Sequence, residues 1–288
     1  MSEWVLGIIG GSGLYQLDAL QEAKWVSLDT PWGAPSDDLL VGHIGEVKCV
    51  FLPRHGRGHR LGPSQLNFRA NIDVMKQMGV TDLVSISAVG SLVEDLPPGH
   101  FVAVDQFIDR TFAREKSFFG DGLVAHVSVA DPICSRLSTY AAEAGRKAGA
   151  DVREGGTYIA MEGPQFSSRA ESHLYRQWGA HVIGMTAMPE AKLAREAELP
   201  YALIGMVTDY DCWRENEAPV EVEAIIAQMH SNAANARDLI AHLASSLPVK
   251  REASPIDTVL DFALITDPSV RNPELVAKLK NVAGRALG

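Results

Sequence analysis

Two aspartates one residue apart, Asp209 and Asp211, close an apolar run in the stretch YALIGMVTDYD, Tyr201–Asp211. A carboxyl held near a second carboxylate or out of water keeps its proton toward neutral pH and can act as a general acid. A second group of chemically capable residues follows the apolar run VKCVFL at 47–52. Arg54, His55, Arg57, His59 and Arg60 crowd the segment PRHGRGHR. Guanidinium forks suit phosphate oxygens, and the interspersed glycines let backbone approach a ligand closely. A zinc pair at His55 and His59 is disfavoured, because those glycines oppose the helix such spacing needs. A solvated basic loop is the alternative to anion binding, which is favoured. Three more small-residue exits carry hydroxyls: Gly10-Gly11-Ser12-Gly13, Ser87-Ala88-Val89-Gly90-Ser91 and Met185-Thr186. Each suits an oxyanion or a plain turn.

The elements that must position these groups alternate along the chain. Val5–Ile9, 47–52, Leu83–Ala88, Phe101–Val104, Tyr158–Met161, His181–Gly184 and Tyr201–Val207 read as short buried strands. Ser64–Met78 has a helical pattern stopped by Gly79. Asp131-Pro132 reads as cap and first residue of a helix ending near Gly149. Ser168 and Glu171 fit a capping box for a helix ending near Gly179. Another helix starts at Met185–Glu190, and a long amphipathic one spans about Val220 to Leu247. The alternation predicts an α/β fold, a single domain whose central mixed, largely parallel sheet is flanked by helices, with a C-terminal helical tail. The domain is read as 1–250 and the extension as 251–288, an appendage rather than an independent unit. If the chain stays extended past Val207, Asp209 and Asp211 face the same side. Five strand ends then deliver candidate ligands, as open α/β sheets do. The long polar segment Asp105–Asp121 reads as a lid or a subunit contact.

Composition bounds the partners. The 288 residues are 46% hydrophobic, enough for one large core, and the formal charge is −10. That charge argues against nucleic acid and anionic membrane surfaces. Cys49, Cys134 and Cys212 suggest neither disulfides nor a thiolate metal site. The first residues lack a basic leader, and no apolar run could span a bilayer, so a soluble cytoplasmic protein is expected. The glycine turn does not fit G-x-G-x-x-G, and no Walker-type phosphate loop occurs.

An anion cradle (Ser12, Arg54, His55, Ser87, Thr186) beside two carboxylates suits attack of phosphate on an electrophilic carbon while an acid assists the leaving group. A purine nucleoside fits, since its C1′–N9 bond breaks through an oxocarbenium-like transition state. Phosphate would be nucleophile and counter-charge, and an acid at purine N7 would neutralise the departing base.

The chain also resembles a known family. The segments Gly7-Ile-Ile-Gly-Gly-Ser-Gly-Leu, Arg54-His55-Gly56 with Asn67–Asn71, Ala88-Val-Gly-Ser-Leu92 and Gln106–Thr111 carry the likeness. So do Glu162-Gly-Pro-Gln-Phe-Ser-Ser-Arg-Ala-Glu-Ser172 and Thr208-Asp-Tyr-Asp-Cys-Trp213. Together, over about residues 5 to 245, they resemble the 5′-methylthioadenosine phosphorylases among the trimeric purine nucleoside phosphorylases. The resemblance implies phosphorolysis of methylthioadenosine by a cytoplasmic homotrimer that needs no metal or cofactor, with inorganic phosphate as co-substrate. It implies that Ser12, Arg54, His55, Ser87, Ala88 and Thr186 hold phosphate. Met185 would pack on the ribose, and Phe166 and Ser167 would line the purine. Asp209 would be the acid at N7 and Asp211 would bind the 6-amino group, with Tyr210 between them in the substrate-binding triplet. Val222, Ile225 and Ile226 would enclose the methylthio tail, with His126 reaching in from a neighbouring subunit. Ser12 and Ser87 stand where threonine is common in the family, and the tail after Lys250 does not follow the family pattern. Two aspartates favour a 6-amino over a 6-oxo purine. The other readings are a methylthioinosine or adenosine/inosine phosphorylase, a nucleosidase using water, and a purine-binding protein without activity.

Overall fold

A computed structural model describes residues 3–11, 13–214 and 222–288. Among the described residues, eleven strands form one mixed sheet. They are β1 (Val5–Gly10), β2 (Gln21–Val26), β3 (Leu39–Ile44), β4 (Val47–Pro53), β5 (Asp82–Ser91), β6 (Phe101–Ala103), β7 (Gln106–Asp109), β8 (Val152–Glu154), β9 (Thr157–Ala160), β10 (Val182–Gly184) and β11 (Tyr201–Asp209). Among the described residues, seven α-helices accompany them: α1 (Phe68–Gln77), α2 (Ser135–Lys147), α3 (Arg169–Gln177), α4 (Ala187–Glu196), α5 (Val222–Ser246), α6 (Pro273–Lys278) and α7 (Lys280–Leu287).

The path β2-β3-β4-β1-β5-β10-β9-β7 is hydrogen-bonded in that order, and β11 lies on the other edge of β5, followed by β6 and β8. The strands β4, β1, β5 and β11 run parallel and therefore end along one edge. Antiparallel pairing of β10 with β5 sets Val182 opposite Ser91 and Ile183 opposite Gly90.

Period-2 side-chain alternation divides the core between the two faces of the sheet. Ile9, Leu83 and Leu203 pack on one face with α1, α4 and tail residues Leu260, Leu279 and Val282. Their neighbours Ile8, Val84 and Ile204 face α2 and α5 on the other side. Tail residues are thus built into the main core. Polar ties add to this: Arg251 donates to Asp82 and Asp257, Arg285 to Glu198 and Asp261, and Asn281 to Asp73.

Capping chemistry fixes the helix ends. The Ser168 and Glu171 box caps α3 reciprocally, and Gly79 and Gly179, with φ of +77° each, follow α1 and α3. The helix anticipated from Ser64 instead begins at Phe68, after a 3-10 turn at Pro63–Gln65, because the Asn67 side chain accepts the Ala70 N–H. Nor does Asp131-Pro132 open α2. The Cys134 N–H donates to Tyr201 O at 2.8 Å, which ties the preceding chain to the sheet and delays the helix to Ser135. Segment 105–121 is no free lid, for it contains β7 and the buried Phe118 and Phe119.

Candidate active site

Strand direction assembles the site. Parallel β1, β4, β5 and β11 carry Gly11, Arg54, Ser87 and Asp209 to one edge of the sheet. The antiparallel register of β10 against β5, continued past Gly184, sets Thr186 opposite Ser87, and their hydroxyl oxygens are 3.3 Å apart. A cavity of about 700 Å³ opens there, with Arg54, His55, Ser87 and Thr186 toward one part and Phe166, Asp209 and Asp211 also in its wall. Its size suits a small organic ligand.

At the carboxylate end, the chain does not stay extended. Asp211 adopts φ +53°, and its N–H donates to Asp209 Oδ1 at 2.8 Å, so the side chain of Asp209 folds the backbone into a turn. Both carboxyls nevertheless line the cavity. Asp209 Oδ2 accepts the Thr208 hydroxyl at 2.6 Å. Burial raises the Asp209 pKa against these two hydrogen bonds. Burial likewise raises that of Asp211; the Ser172 hydroxyl opposes the rise, and the Asp209 charge adds to it. Among the described residues, Asp211 Oδ2 is buried without a hydrogen-bond partner of good geometry, as is the neighbouring Ser172 Oγ. An acceptor in that condition costs free energy until a donor arrives. Gly90 makes the arrangement possible, since a Cβ there would lie 3.0 Å from Asp209 Oδ1 and 3.1 Å from Ile183 Cγ2.

The anion end is less positive than its sequence suggests. Arg54 is 2% exposed, and its Nε donates to Glu190 Oε2 at 3.0 Å while Nη2 donates to Glu190 Oε1, Ser85 Oγ and Ile9 O. Its Nη1 donates to Ile86 O, which leaves one further Nη1 proton. The bidentate face expected to grip an anion is therefore spent on Glu190, itself held by Tyr201 and Ser85. His55 Nδ1 pairs with Leu61 O at 2.8 Å, a contact that requires the proton on Nδ1 and leaves Nε2 as an acceptor. Burial, with the nearby Arg54 and His59, holds the His55 pKa down to about 4. At neutral pH the ring is uncharged and stacks on His59 with centroids 4.2 Å apart. What remains for an anion is a set of hydroxyls and N–H groups rather than bare charge.

The other anticipated residues separate into two groups. Ala88, Phe166, Met185, Ile225 and Ile226 line the cavity. Tyr210 turns away from it, its hydroxyl reaching Glu94 O and its ring meeting Trp213 and Arg214, because the turn at Asp209–Asp211 swings the intervening side chain outward. Ser167 contacts Met161 Sδ at 3.4 Å and is absent from the cavity wall. His126 is exposed outside that wall, its N–H on Ala263 O. Ser12 and the side chain of Val222 lie outside the described residues. Sequence reasoning gave no place in the site to His59, Gly90, Thr208 or His230, which line the wall. The first three sat in plain view inside the singled-out segments, whereas His230 shows no signal beyond its place on α5. Among the described residues, no cluster of three His, Cys, Asp or Glu side chains could hold a metal ion, and no helix is long and apolar enough to cross a membrane.

The phosphorylase superfamily pattern matches residues 5–245. An S-methyl-5′-thioadenosine phosphorylase of Cereibacter sphaeroides is 58% identical, with 98% of each chain covered. One from Bradyrhizobium diazoefficiens is 55% identical, covering 100% of this chain and 99% of the relative. The crystal structure of a methylthioadenosine phosphorylase from an antarctic soil metagenomic library superposes with a TM-score of 0.91 at 46% identity, over 98% of this chain and 99% of that one. A variant adenosine/methylthioadenosine phosphorylase of Schistosoma mansoni, in complex with methylthioadenosine, gives 0.79 at 36% identity, over 84% and 91%. With strand ends, acid pair and full-length likeness in agreement, the chain belongs to the phosphorylase superfamily.

Proposed function

We propose that the chain catalyses reversible phosphorolysis of S-methyl-5′-thioadenosine to adenine and 5-methylthioribose 1-phosphate. A phosphate oxygen bonds to C1′ as the C1′–N9 bond breaks, the bonding pair passes into the purine, and the Asp209 carboxyl gives its proton to N7. Burial that raises the Asp209 pKa supports this role. Ser87 and Thr186, with Ser12 and the Ala88 backbone, receive phosphate, and the neutral His55 accepts from its protonated oxygen through Nε2; Arg54 contributes its one uncommitted N–H. Inorganic phosphate is the co-substrate, and the scheme uses no other cofactor. Met185 packs on the ribose, Phe166 borders the purine, and Val222, Ile225 and Ile226 surround the methylthio tail. The active form in this reading is a cytoplasmic homotrimer in which His126 of one copy approaches its neighbour's tail pocket.

The observation that carries the base assignment is the orphaned Asp211 Oδ2. A 6-amino group supplies the missing donor. A 6-oxo base would set its oxygen against the carboxylate, leaving two acceptors face to face. Asp211→Asn tests this. A hydrogen bond to a charged group contributes about 1.5–3 kcal/mol, so the variant should lose roughly 10- to 100-fold of the preference for methylthioadenosine over methylthioinosine. An unchanged preference would remove Asp211 from base recognition.

A further inference from the structure

We infer that Arg114 is a positioning residue that sets the Met185–Thr186 turn, and with it the phosphate end of the site, from a segment that forms no part of the cavity wall. The need for it begins in α4. The Met185 carbonyl lies just before the Thr186 N-cap of α4, outside the helical ladder, so it must find its donor elsewhere. Met188, with φ of −118° and ψ of 132°, is not helical and interrupts the start of α4. Carbonyls at this irregular helix start need donors from outside a regular ladder, and buried carbonyls without donors are costly.

Arg114 supplies them. Its side chain is 1% exposed, and Nη1 donates to Met185 O at 2.5 Å and to Met188 O at 2.6 Å. Nη2 donates to Glu162 O at 2.7 Å, and Nε donates to Glu162 Oε1 at 3.3 Å. Glu162 in turn fixes the segment that carries Arg114, accepting the Phe112 N–H at 2.7 Å and the Ala113 N–H at 3.3 Å. It also accepts the Ser64 hydroxyl, next to cavity residue Pro63. One guanidinium therefore joins the β9 exit, the start of α4 and the chain after β7. A lysine could place charge there but not the planar fork that meets three carbonyls at once.

The inference rests on the proposed reading that Thr186 meets phosphate, and it predicts a split between the two ends of the site. The acids stand on β11 and its turn, which Arg114 does not touch. Arg114→Lys should raise the phosphate KM at least fivefold and leave the adenine Kd, measured by calorimetry, within twofold of the parent. Glu162→Gln keeps the carbonyl contacts of Arg114 and should raise the phosphate KM in the same direction by less, which supplies a second test should Arg114→Lys fail to fold. Thr186→Val measured alongside separates the two readings. If Thr186→Val weakens phosphate and neither Arg114→Lys nor Glu162→Gln does, the positioning role is wrong. If none of the three moves the phosphate KM, the anion-site assignment falls and the inference with it. An adenine Kd that rises in step with the phosphate KM would mean general disruption and would also overturn it.

Discussion

Gly90→Ala should uncouple catalysis from stability. Gly90 has no positive φ, so alanine is free to adopt its backbone. The added methyl would nonetheless sit 3.0 Å from Asp209 Oδ1, 3.1 Å from Ile183 Cγ2 and 3.5 Å from Asp211 Cβ. Contacts of 3.0–3.4 Å force a neighbour to give by a few tenths of an ångström. Asp209 cannot yield alone, because Oδ1 holds the Asp211 N–H at 2.8 Å and Oδ2 holds the Thr208 hydroxyl at 2.6 Å. The displacement passes to both acids. Misplacement by about 1 Å can cost on the order of 100-fold in rate, so a shift of tenths should cost on the order of tenfold in kcat. The net stability loss should be about 0–2.6 kcal/mol: replacing glycine gains about 0.4–1 kcal/mol through the unfolded chain, against overpacking that typically costs about 1–3 kcal/mol. The assay is initial-rate adenine release at saturating phosphate, paired with a thermal melt. Activity within twofold of the parent would refute the claim that Gly90 sets the acid pair. So would a kcat loss matched by gross destabilisation.

Two further outcomes are expected. Glu196 accepts Ser117 Oγ at 2.8 Å and Phe118 N–H at 2.7 Å, yet burial pushes its pKa up from 4.5 to about 7. Its contribution is complete below pH 4.5 and is lost as pH rises through about 7, a decline of about 3 kcal/mol at 1.36 kcal/mol per unit. Denaturant titrations from pH 4.5 to 8 should show that slope in the parent and its absence in Glu196→Gln; equal slopes would refute the assignment. Glu190→Gln leaves the buried Arg54 guanidinium without its counter-charge, which should destabilise the protein by about 3–5 kcal/mol. A melt unchanged by that substitution would show that Arg54 finds another partner.

Much of this arrangement was legible in the residues, and the failures have physical causes. β11 was readable because an apolar run bounded by Pro200 and Thr208 has only one buried use, and eight of its nine residues are buried. The Ser168 and Glu171 box was readable because capping is local chemistry. β2 was not readable: five of its six residues are exposed, so no apolar pattern marked it. The turn at Asp211 depends on a side chain bonding back to its own backbone, which no period records. Glu190 escaped notice because an acid at a helix start is ordinarily a surface residue, whereas here it is 1% exposed and meets an arginine 136 positions away. Arg114 escaped for a related reason, its partners being carbonyls on distant segments.

The central claim is that phosphate, not water, takes the pentose. The most direct test is to incubate the purified protein with methylthioadenosine, with and without inorganic phosphate, and to follow adenine by absorbance and phosphorus by NMR. The account predicts adenine and a pentose 1-phosphate in equal amounts, and no release when phosphate is left out. Adenine release at an undiminished rate in phosphate-free buffer, with free methylthioribose as the second product, would contradict it.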